Sequence, residues 1–159
     1  MAAETVALDK PVPAFSLPST GTGTGTWANK DAAGSKLVLY FYPRDNTPGC
    51  TQEGKDFAAA AAAFRKAGAV ILGISADSLE SHEKFKAKMQ FPFELLADTE
   101  QKACKLFDVF KEKSLYGRKF MGIERSTFLV DEKGVMRKEW RKVKVPGHVA
   151  EVLAATKAL

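Results

Sequence analysis

The sequence predicts an α/β protein in which helices flank a central mixed β-sheet. A strand–helix–strand pattern occupies residues 36–75, and two strands joined by a hairpin turn follow at residues 126–140. The first pattern is typical of parallel neighbours and the second of antiparallel ones, so we expect both kinds of pairing in one sheet. A chain of 159 residues can bury a substantial core, and we expect residues 1–159 to form one domain.

Composition and charge argue against several classes of protein. The chain has no run of about eighteen apolar residues, so we expect no membrane span. Its first residues include an acidic side chain and no apolar stretch, unlike a signal peptide. Two cysteines do not make a disulfide framework, which favours a reducing compartment, the cytoplasm. The net charge of +5 is scattered except at residues 137–144 (RKEWRKVK), where a solvated strand face is favoured over a nucleic-acid site.

The amino-terminal part of the chain predicts little regular structure. Residues 12–17 (VPAFSL) lie among prolines and suit an edge strand. The glycine-rich residues 21–26 (GTGTGT) lack the Gly-Lys-Ser/Thr ending of a phosphate-binding loop. We therefore interpret them as a flexible hairpin loop before Trp27.

The remaining chain is organised around residues 36–67. The apolar and aromatic residues 37–42 (LVLYFY) predict a buried strand, and a helix start follows, with Thr47 as N-cap and Pro48 in the first helical position. Cys50 is then the third residue of the helix, where backbone N–H groups have no partner within the helix. The partial positive charge of this helix end favours a thiolate. The pattern therefore predicts a nucleophilic cysteine.

The helix and the strand after it complete a βαβ unit. Apolar side chains recur on one face of the helix, at Phe57, Ala60, Ala61 and Phe64. Gly68 marks the helix end, and Ala69–Ser75 is a second buried strand. Cys50 should thus lie beyond the carboxyl end of a parallel strand, where open α/β sheets place their chemistry.

The later elements are predicted in turn. A helix at Leu79–Met89 begins after Asp77 or Ser78, and a short strand follows at residues 93–97. A short helix at residues 101–107 is capped by Asp98 or Thr99. Basic residues 111–121 predict an irregular excursion at one rim of the site. The last elements are two strands with a hairpin turn and a terminal helix, at Ser126–Val130, 135–140 and 148–159.

Two further side chains are expected near Cys50. The Thr47 hydroxyl, three residues earlier, can reach the sulfur across the first helical turn and cap the helix. Pro43 can shield the sulfur from bulk water. Thr47 also occupies the position of the first cysteine in a Cys-x-x-Cys motif, which excludes dithiol exchange within this segment.

Arg125 is the expected second cation. It immediately precedes the strand Ser126–Val130, which we expect to run antiparallel beside residues 37–42. The first residue of one strand then lies next to the last residue of the other, which brings the guanidinium near Cys50. Glu53, one helical turn beyond Cys50, can hold this arginine in place.

These segments resemble the peroxiredoxins, and specifically the bacterioferritin-comigratory or peroxiredoxin Q subfamily. The motifs are TPGCTQE after an aromatic strand, ERSTFLV downstream and VPGHV near the end. The resemblance covers essentially the whole chain and implies a thioredoxin-like fold. It also implies reduction of hydrogen peroxide and organic hydroperoxides, without a metal or organic cofactor, by a monomer. By position it implies Cys50 as the peroxidatic cysteine, with Thr47, Pro43 and Arg125 completing the site and Glu53 matching the family's glutamate.

The sequence departs from this family where many members carry a resolving cysteine, because Lys55 occupies that position. The other thiol, Cys104, is either a buried core side chain or a distant resolving cysteine that would need helix unwinding. We favour a one-cysteine cycle in which thioredoxin or glutaredoxin reduces Cys50 directly.

Alternative interpretations remain for the single residues and for the function. Pro43 can simply end a strand, Thr47 can simply cap, and Arg125 can pair with Asp131 or Glu132. His82 and His148 are expected at the surface or in capping positions, not as metal ligands, and Trp27 and Trp140 in packing. A redox-sensing or holdase-type binding protein is the rival function, and a thiol–disulfide oxidoreductase is a weaker one.

Overall fold

A computed structural model describes residues 5–21 and 25–159. The helices are α1 (Pro48–Lys66), α2 (Leu79–Met89), α3 (Lys102–Leu106) and α4 (His148–Ala158), with a 3₁₀ helix at Asn29–Ala32. The first five strands are β1 (Ser16–Pro18), β2 (Thr26–Ala28), β3 (Lys36–Phe41), β4 (Ala69–Ser75) and β5 (Glu94–Ala97). The other four are β6 (Phe110–Leu115), β7 (Arg118–Ile123), β8 (Ser126–Val130) and β9 (Met136–Trp140).

The central sheet has the strand order β5-β4-β3-β8-β9. Strands β3, β4 and β5 are parallel, whereas β8 pairs antiparallel with both β3 and β9. The predicted mixed sheet and its βαβ unit are therefore confirmed. In the β3–β8 register Phe41 faces Ser126, so the residue before β8 lies at the carboxyl end of β3.

The two faces of the sheet carry separate apolar cores because successive side chains of β3 point to opposite sides. One core contains Leu37, Leu39 and Phe41 and is covered by α3 and the amino-terminal segment. The other contains Val38, Tyr40 and Tyr42 and is covered by α1, α2 and α4. Since both faces are covered, the sheet is a buried scaffold that presents chemistry only at its ends.

Helix α1 is fixed on the sheet by aromatic packing. The rings of Tyr40 and Phe57 stack with centroids 4.5 Å apart, and both side chains are buried. Full burial of a side chain such as Phe57 contributes roughly 1.5–3 kcal/mol, so this contact holds the helix firmly. Gly54 lets the ring of Phe91 approach the helix, because a Cβ there would lie 2.4 Å from the ring. The start of α1, which carries Cys50, is thereby anchored.

Several predictions about local structure need correction. The predicted edge strand at residues 12–17 is instead β1, which includes Pro18 and pairs with β2. The glycine-rich loop falls partly on residues 22–24, outside the described residues, and Thr26 already belongs to β2. The prediction for helix α2 is confirmed: it begins after Ser78, whose hydroxyl accepts from Ser81 N–H at 3.1 Å.

The short helix α3 also differs from its prediction. It begins at Lys102 with Gln101 in the N-cap position. The Asp98 carboxylate nonetheless accepts the N–H groups of Ala103 and Cys104, at 3.2 and 2.7 Å. Asp98 therefore satisfies the helix end from four residues upstream.

The predicted irregular excursion at residues 111–121 is wrong, since β6 and β7 form a regular antiparallel hairpin. Tyr116 and Gly117 both have positive φ, at 52° and 78°, as a two-residue hairpin turn requires. Most side chains are exposed on both faces of this hairpin, so the apolar–polar alternation of a half-buried strand is absent. No helix in the described ranges is long and apolar enough to cross a membrane.

Candidate active site

Cys50 lies at the amino-terminal end of α1, immediately beyond the carboxyl end of β3. It is the third residue of the helix, as predicted, and its side chain is buried, with 2 % exposure. The first intrahelical bond runs from Thr51 N–H to the Thr47 carbonyl at 2.8 Å. The N–H groups of Gly49 and Cys50 thus precede the helical ladder and are free for an anion or a polar ligand.

The predicted approach of Arg125 to the sulfur is found. Its Nη2 lies 3.5 Å from Cys50 Sγ, and its Nη1 donates to Glu53 Oε1 at 2.6 Å. A Cβ on Gly49 would lie 3.1 Å from the same Nη2, so this glycine leaves room for the guanidinium beside the helix end. Arg125 pairs with Glu53 and not with Asp131 or Glu132, and Asp131 accepts from Arg137 instead.

Burial and charge act against each other in this cluster. Burial raises the pKa of Glu53 to about 7, although the neighbouring Arg125 lowers it. Glu53 Oε2 is buried and has no hydrogen-bond partner among the described residues, which fits a carboxyl group that takes up a proton readily. Burial acts to lower the pKa of Arg125, but Glu53 and Cys50 together raise it. The guanidinium therefore stays charged while Glu53 can titrate near neutrality.

Thr47 and Pro43 occupy the turn before the helix. Thr47 is the N-cap residue, as predicted, but its side chain makes no cap hydrogen bond. Its hydroxyl donates to the Arg44 carbonyl at 2.9 Å instead, so the predicted side-chain cap is wrong. A hydroxyl keeps two acceptor lone pairs when it donates elsewhere, and these remain for a polar ligand. Pro43 is half-buried and follows β3 with one residue, Tyr42, between them.

Sequence reasoning missed a buried polar network behind this turn. Asp45 Oδ2 lies 2.7 Å from His82 Nδ1, and Asp45 Oδ1 accepts from Tyr42 Oη at 2.6 Å. His82 Nε2 lies 2.9 Å from the Leu96 carbonyl oxygen, so both ring nitrogens face acceptors and both carry hydrogens. Against the raising effect of burial, bonding to His82 lowers the pKa of Asp45. A buried ion pair thus fixes the turn that leads into α1.

The same network contains the one candidate metal-binding group in residues 5–21 and 25–159: Asp45, Asp77 and His82. Asp77 Oδ2 already accepts from Asp45 N–H and Ser75 Oγ, at 2.8 and 2.6 Å. Both nitrogens of His82 are also occupied. The group therefore serves as a hydrogen-bonded brace rather than as a set of free ligands.

The expected surface positions of the two histidines are wrong. His82 is completely buried, and His148 is buried with Nε2 2.8 Å from the Thr127 hydroxyl. Burial lowers the pKa of His148, against the opposing effect of Glu151. His82 thus lies against a carboxylate, whereas burial favours the neutral form of His148. The sequence signals neither environment, because both depend on contacts between distant segments.

Cys104 lies on the other side of the central sheet from Cys50. It belongs to the core on the opposite face of the sheet and is completely buried in α3. Burial, and then the nearby Asp98, raise the pKa of the Cys104 thiol well above its ordinary value. Both cysteines are free. This environment agrees with the interpretation of Cys104 as a buried core side chain.

A mixed sheet with a buried cysteine at a helix start beside an arginine is typical of thioredoxin-fold thiol enzymes, and comparisons with known proteins agree. Residues 8–139 match the AhpC/TSA family. Peroxiredoxin Bcp of Xanthomonas campestris pv. campestris is 51 % identical over 151 residues, covering 95 % of this chain and 94 % of the relative. Peroxiredoxin Bcp of Bacillus subtilis is 54 % identical over 127 residues, covering 80 % and 81 %.

Solved structures give the same result. Peroxiredoxin Q of Xanthomonas campestris superposes with a TM-score of 0.85 at 51 % identity, covering 91 % of this chain and 90 % of that one. A variant of PrxQ from Xylella fastidiosa reaches 0.89 at 40 % identity, covering 98 % of both chains. The chain belongs to the AhpC/TSA family and, within it, to the bacterioferritin-comigratory or peroxiredoxin Q subfamily of peroxiredoxins. It is a thioredoxin-fold oxidoreductase, a thiol-dependent peroxidase.

Proposed function

We propose that Cys50 is the peroxidatic residue of this peroxidase and that it works in a one-cysteine cycle on hydrogen peroxide and organic hydroperoxides. The observation that carries the proposal is the 3.5 Å contact between Arg125 Nη2 and Cys50 Sγ at the start of α1. A guanidinium and a helix end both favour a thiolate, which is the nucleophile in thiol chemistry. The related Xanthomonas campestris protein is described as having alkyl peroxide reduction activity, which supports the organic substrates.

In the oxidative half, the thiolate attacks one peroxide oxygen. An S–O bond forms and the O–O bond breaks, which leaves sulfenic acid on Cys50, and the departing oxygen takes a proton to leave as water or alcohol. Arg125 and the Cys50 N–H donate to the oxygen on which charge develops. Preorganised donors of this kind contribute about 3–4 kcal/mol each to the transition state. The Thr47 oxygen accepts a hydrogen bond from the peroxide O–H group. Pro43 limits the access of water.

In the reductive half, an external dithiol restores the thiol. Its thiolate attacks the Cys50 sulfenic sulfur, forming a mixed disulfide and releasing water after protonation. Its second thiol then attacks the partner sulfur, so the dithiol leaves as a disulfide and supplies both electrons. We propose thioredoxin or glutaredoxin as this dithiol, because Lys55 replaces the nearby resolving cysteine and Cys104 is buried behind the sheet.

The protein is further proposed to act as a single-domain monomer in the cytoplasm. Two free cysteines and no disulfide among the described residues suit a reducing compartment. Both faces of the central sheet are already covered within one chain, so neither core needs a second copy.

Peroxide consumption by three proteins tests the assignment. With dithiothreitol as reductant, the wild-type protein and Cys104→Ser should turn over peroxide, whereas Cys50→Ser should not. The two variants exchange the same atoms, so the comparison isolates the position of the sulfur. Retained turnover in Cys50→Ser would refute the role of Cys50. Loss of turnover in a folded Cys104→Ser would refute the one-cysteine cycle.

A further inference from the structure

We propose that one face of the β6–β7 hairpin is the docking surface for the protein dithiol that reduces Cys50, and that this partner presents acidic and apolar groups around its reactive thiol. The inference rests on the proposed one-cysteine cycle and specifies where its reductant binds. We call this surface the Lys113 face; its members are Lys111, Lys113, Leu115, Arg118, Phe120 and Gly122.

The register of the hairpin defines the Lys113 face. Lys113 stands opposite Phe120, and Leu115 stands opposite Arg118. Directly opposed residues of an antiparallel pair point to the same side, as do alternate residues of one strand. A Cβ on Gly122 would lie 3.4 Å from Lys113 Cδ and 3.5 Å from Phe120 Cε2, so these two side chains do share one side.

This face adjoins the active site. The hairpin ends at Ile123, two residues before Arg125, and the Glu124 N–H donates to the Val109 carbonyl at its base at 2.7 Å. Lys113 is half-buried, and the charges of Arg125, Cys50 and Glu124 all act on its ammonium group. Because Cys50 is only 2 % exposed, a protein dithiol that reaches it must lie against the residues around the site.

The chemistry of the face indicates its partner. It carries three cations and no carboxylate, and among the described residues neither Lys113 nor Arg118 forms an ion pair; Lys111 is bound by Asp108 at 2.9 Å. Leu115 and Phe120 are 58 % and 46 % exposed, so burial against a partner would remove apolar surface from water. An acidic rim around an apolar patch complements this arrangement.

The other possible occupants fit less well. A second copy of this chain would bring the same cations to the contact, and the whole chain carries a net charge of +5. A peroxide molecule is too small to cover the face. The opposite face of the hairpin differs in charge, because it carries Glu112, which binds Lys119 at 3.7 Å. It therefore provides a matched control surface on the same two strands.

The test compares two double variants on opposite faces of the hairpin. Each reverses one positive charge and truncates one exposed apolar side chain. Arg118→Glu with Phe120→Ala alters the Lys113 face, and Lys119→Glu with Met121→Ala alters the other face. Reduced thioredoxin, regenerated by thioredoxin reductase and NADPH, serves as the protein dithiol, and dithiothreitol serves as the small one. We expect the first variant to lower kcat/KM for thioredoxin about tenfold and the control variant to change it less than about twofold. Rates with dithiothreitol should be unchanged in both.

Ionic strength gives a second readout. Added salt should slow the thioredoxin reaction of the wild-type protein and should affect the Arg118→Glu variant much less, because the attraction has been removed. Equal losses in both double variants, or equal losses with thioredoxin and dithiothreitol, would overturn the proposal. So would a wild-type dimer that only the Lys113-face variant dissociates, or a wild-type protein that turns over with dithiothreitol but not with thioredoxin. Absence of turnover with either dithiol would instead refute the peroxidase mechanism itself.

Discussion

Cys50 and Cys104 lie on opposite faces of the central sheet, each within a different apolar core. A disulfide requires Cα atoms within about 7 Å, so joining these residues would take the start of α1 or the whole of α3 out of its core. The arrangement therefore supports separate roles for the two thiols.

The first prediction concerns this separation. After one equivalent of peroxide, sulfenic acid should be trapped on Cys50 by dimedone, and mass spectrometry should find no peptide that links Cys50 to Cys104. Cys104→Ala should keep the peroxide rate of the wild-type protein and lose about 1 kcal/mol of unfolding free energy, because it leaves a small cavity in the core. A linked peptide formed by the native protein would contradict the one-cysteine cycle.

The second prediction concerns Arg125. Arg125→Met should lower the second-order rate of Cys50 oxidation about 100- to 1,000-fold, the usual effect of removing one oxyanion donor. Arg125→Lys should lose less, since it keeps the charge but not the planar fork that bridges sulfur and carboxylate. Stopped-flow fluorescence at pseudo-first-order peroxide measures these rates.

Arg137→Met is the matched control for Arg125, because this exposed arginine pairs with Asp9 and Asp131, away from Cys50. It should leave the oxidation rate unchanged. The Arg125 variants should fold, because Glu53 can bind a proton when its partner is gone. Equal rates in Arg125→Met and Arg137→Met would exclude a role for Arg125 in peroxide chemistry.

The third prediction uses the titration of Glu53. Its pKa is about 7 in the folded protein, above the ordinary 4.5, so the folded state holds this proton more tightly than the unfolded state does. The resulting stabilisation is fully present below pH 4.5 and is lost as the pH rises through 7. Glu53→Gln should therefore lack this decline, and its unfolding free energy relative to wild type should rise between those two values. Urea denaturation at closely spaced pH values measures the difference.

Activity provides the second readout for Glu53. Ionisation of Glu53 should make the oxidation rate of the wild-type protein change near pH 7. Gln can still accept from Arg125 but cannot ionise, so Glu53→Gln should lack this change. Glu80→Gln, at an exposed position of α2, controls for a general loss of charge. An unaltered pH profile in Glu53→Gln would show that this carboxyl group does not titrate in the working range.

The position of Arg125 could be predicted because it follows from strand register alone. Because β8 runs antiparallel to β3 with Ser126 opposite Phe41, the residue before Ser126 lies beyond the carboxyl end of β3. The helix start at Pro48 is likewise a local matter of capping residues and backbone geometry. Features that depend on adjacent residues in the sequence, or on the pairing of two strands, could thus be predicted from the sequence.

Other features could not be predicted, for physical reasons. The β6–β7 hairpin is exposed on both faces, so it lacks hydrophobic alternation, and its Tyr116-Gly117 turn is a weak signal. The acceptor of the Thr47 hydroxyl, the Arg44 carbonyl, depends on the detailed path of the turn. The pairing of Asp45 with His82 joins segments 37 residues apart and exists only in the assembled fold.

The last prediction concerns this Asp45–His82 pair. His82→Phe should cost about 3 kcal/mol or more of unfolding free energy, because it leaves the buried Asp45 carboxylate without its cation and the Leu96 carbonyl without a donor. Adding Asp45→Asn to this variant should cost less than the same change in the wild-type protein, so the double-mutant cycle should show strong coupling. His148→Phe is the matched control, since it removes one neutral hydrogen bond, worth about 1 kcal/mol. Because Asp45 also fixes the turn before Thr47, the oxidation rate should fall in His82→Phe but not in His148→Phe, and additive losses in the cycle would contradict a charged pair.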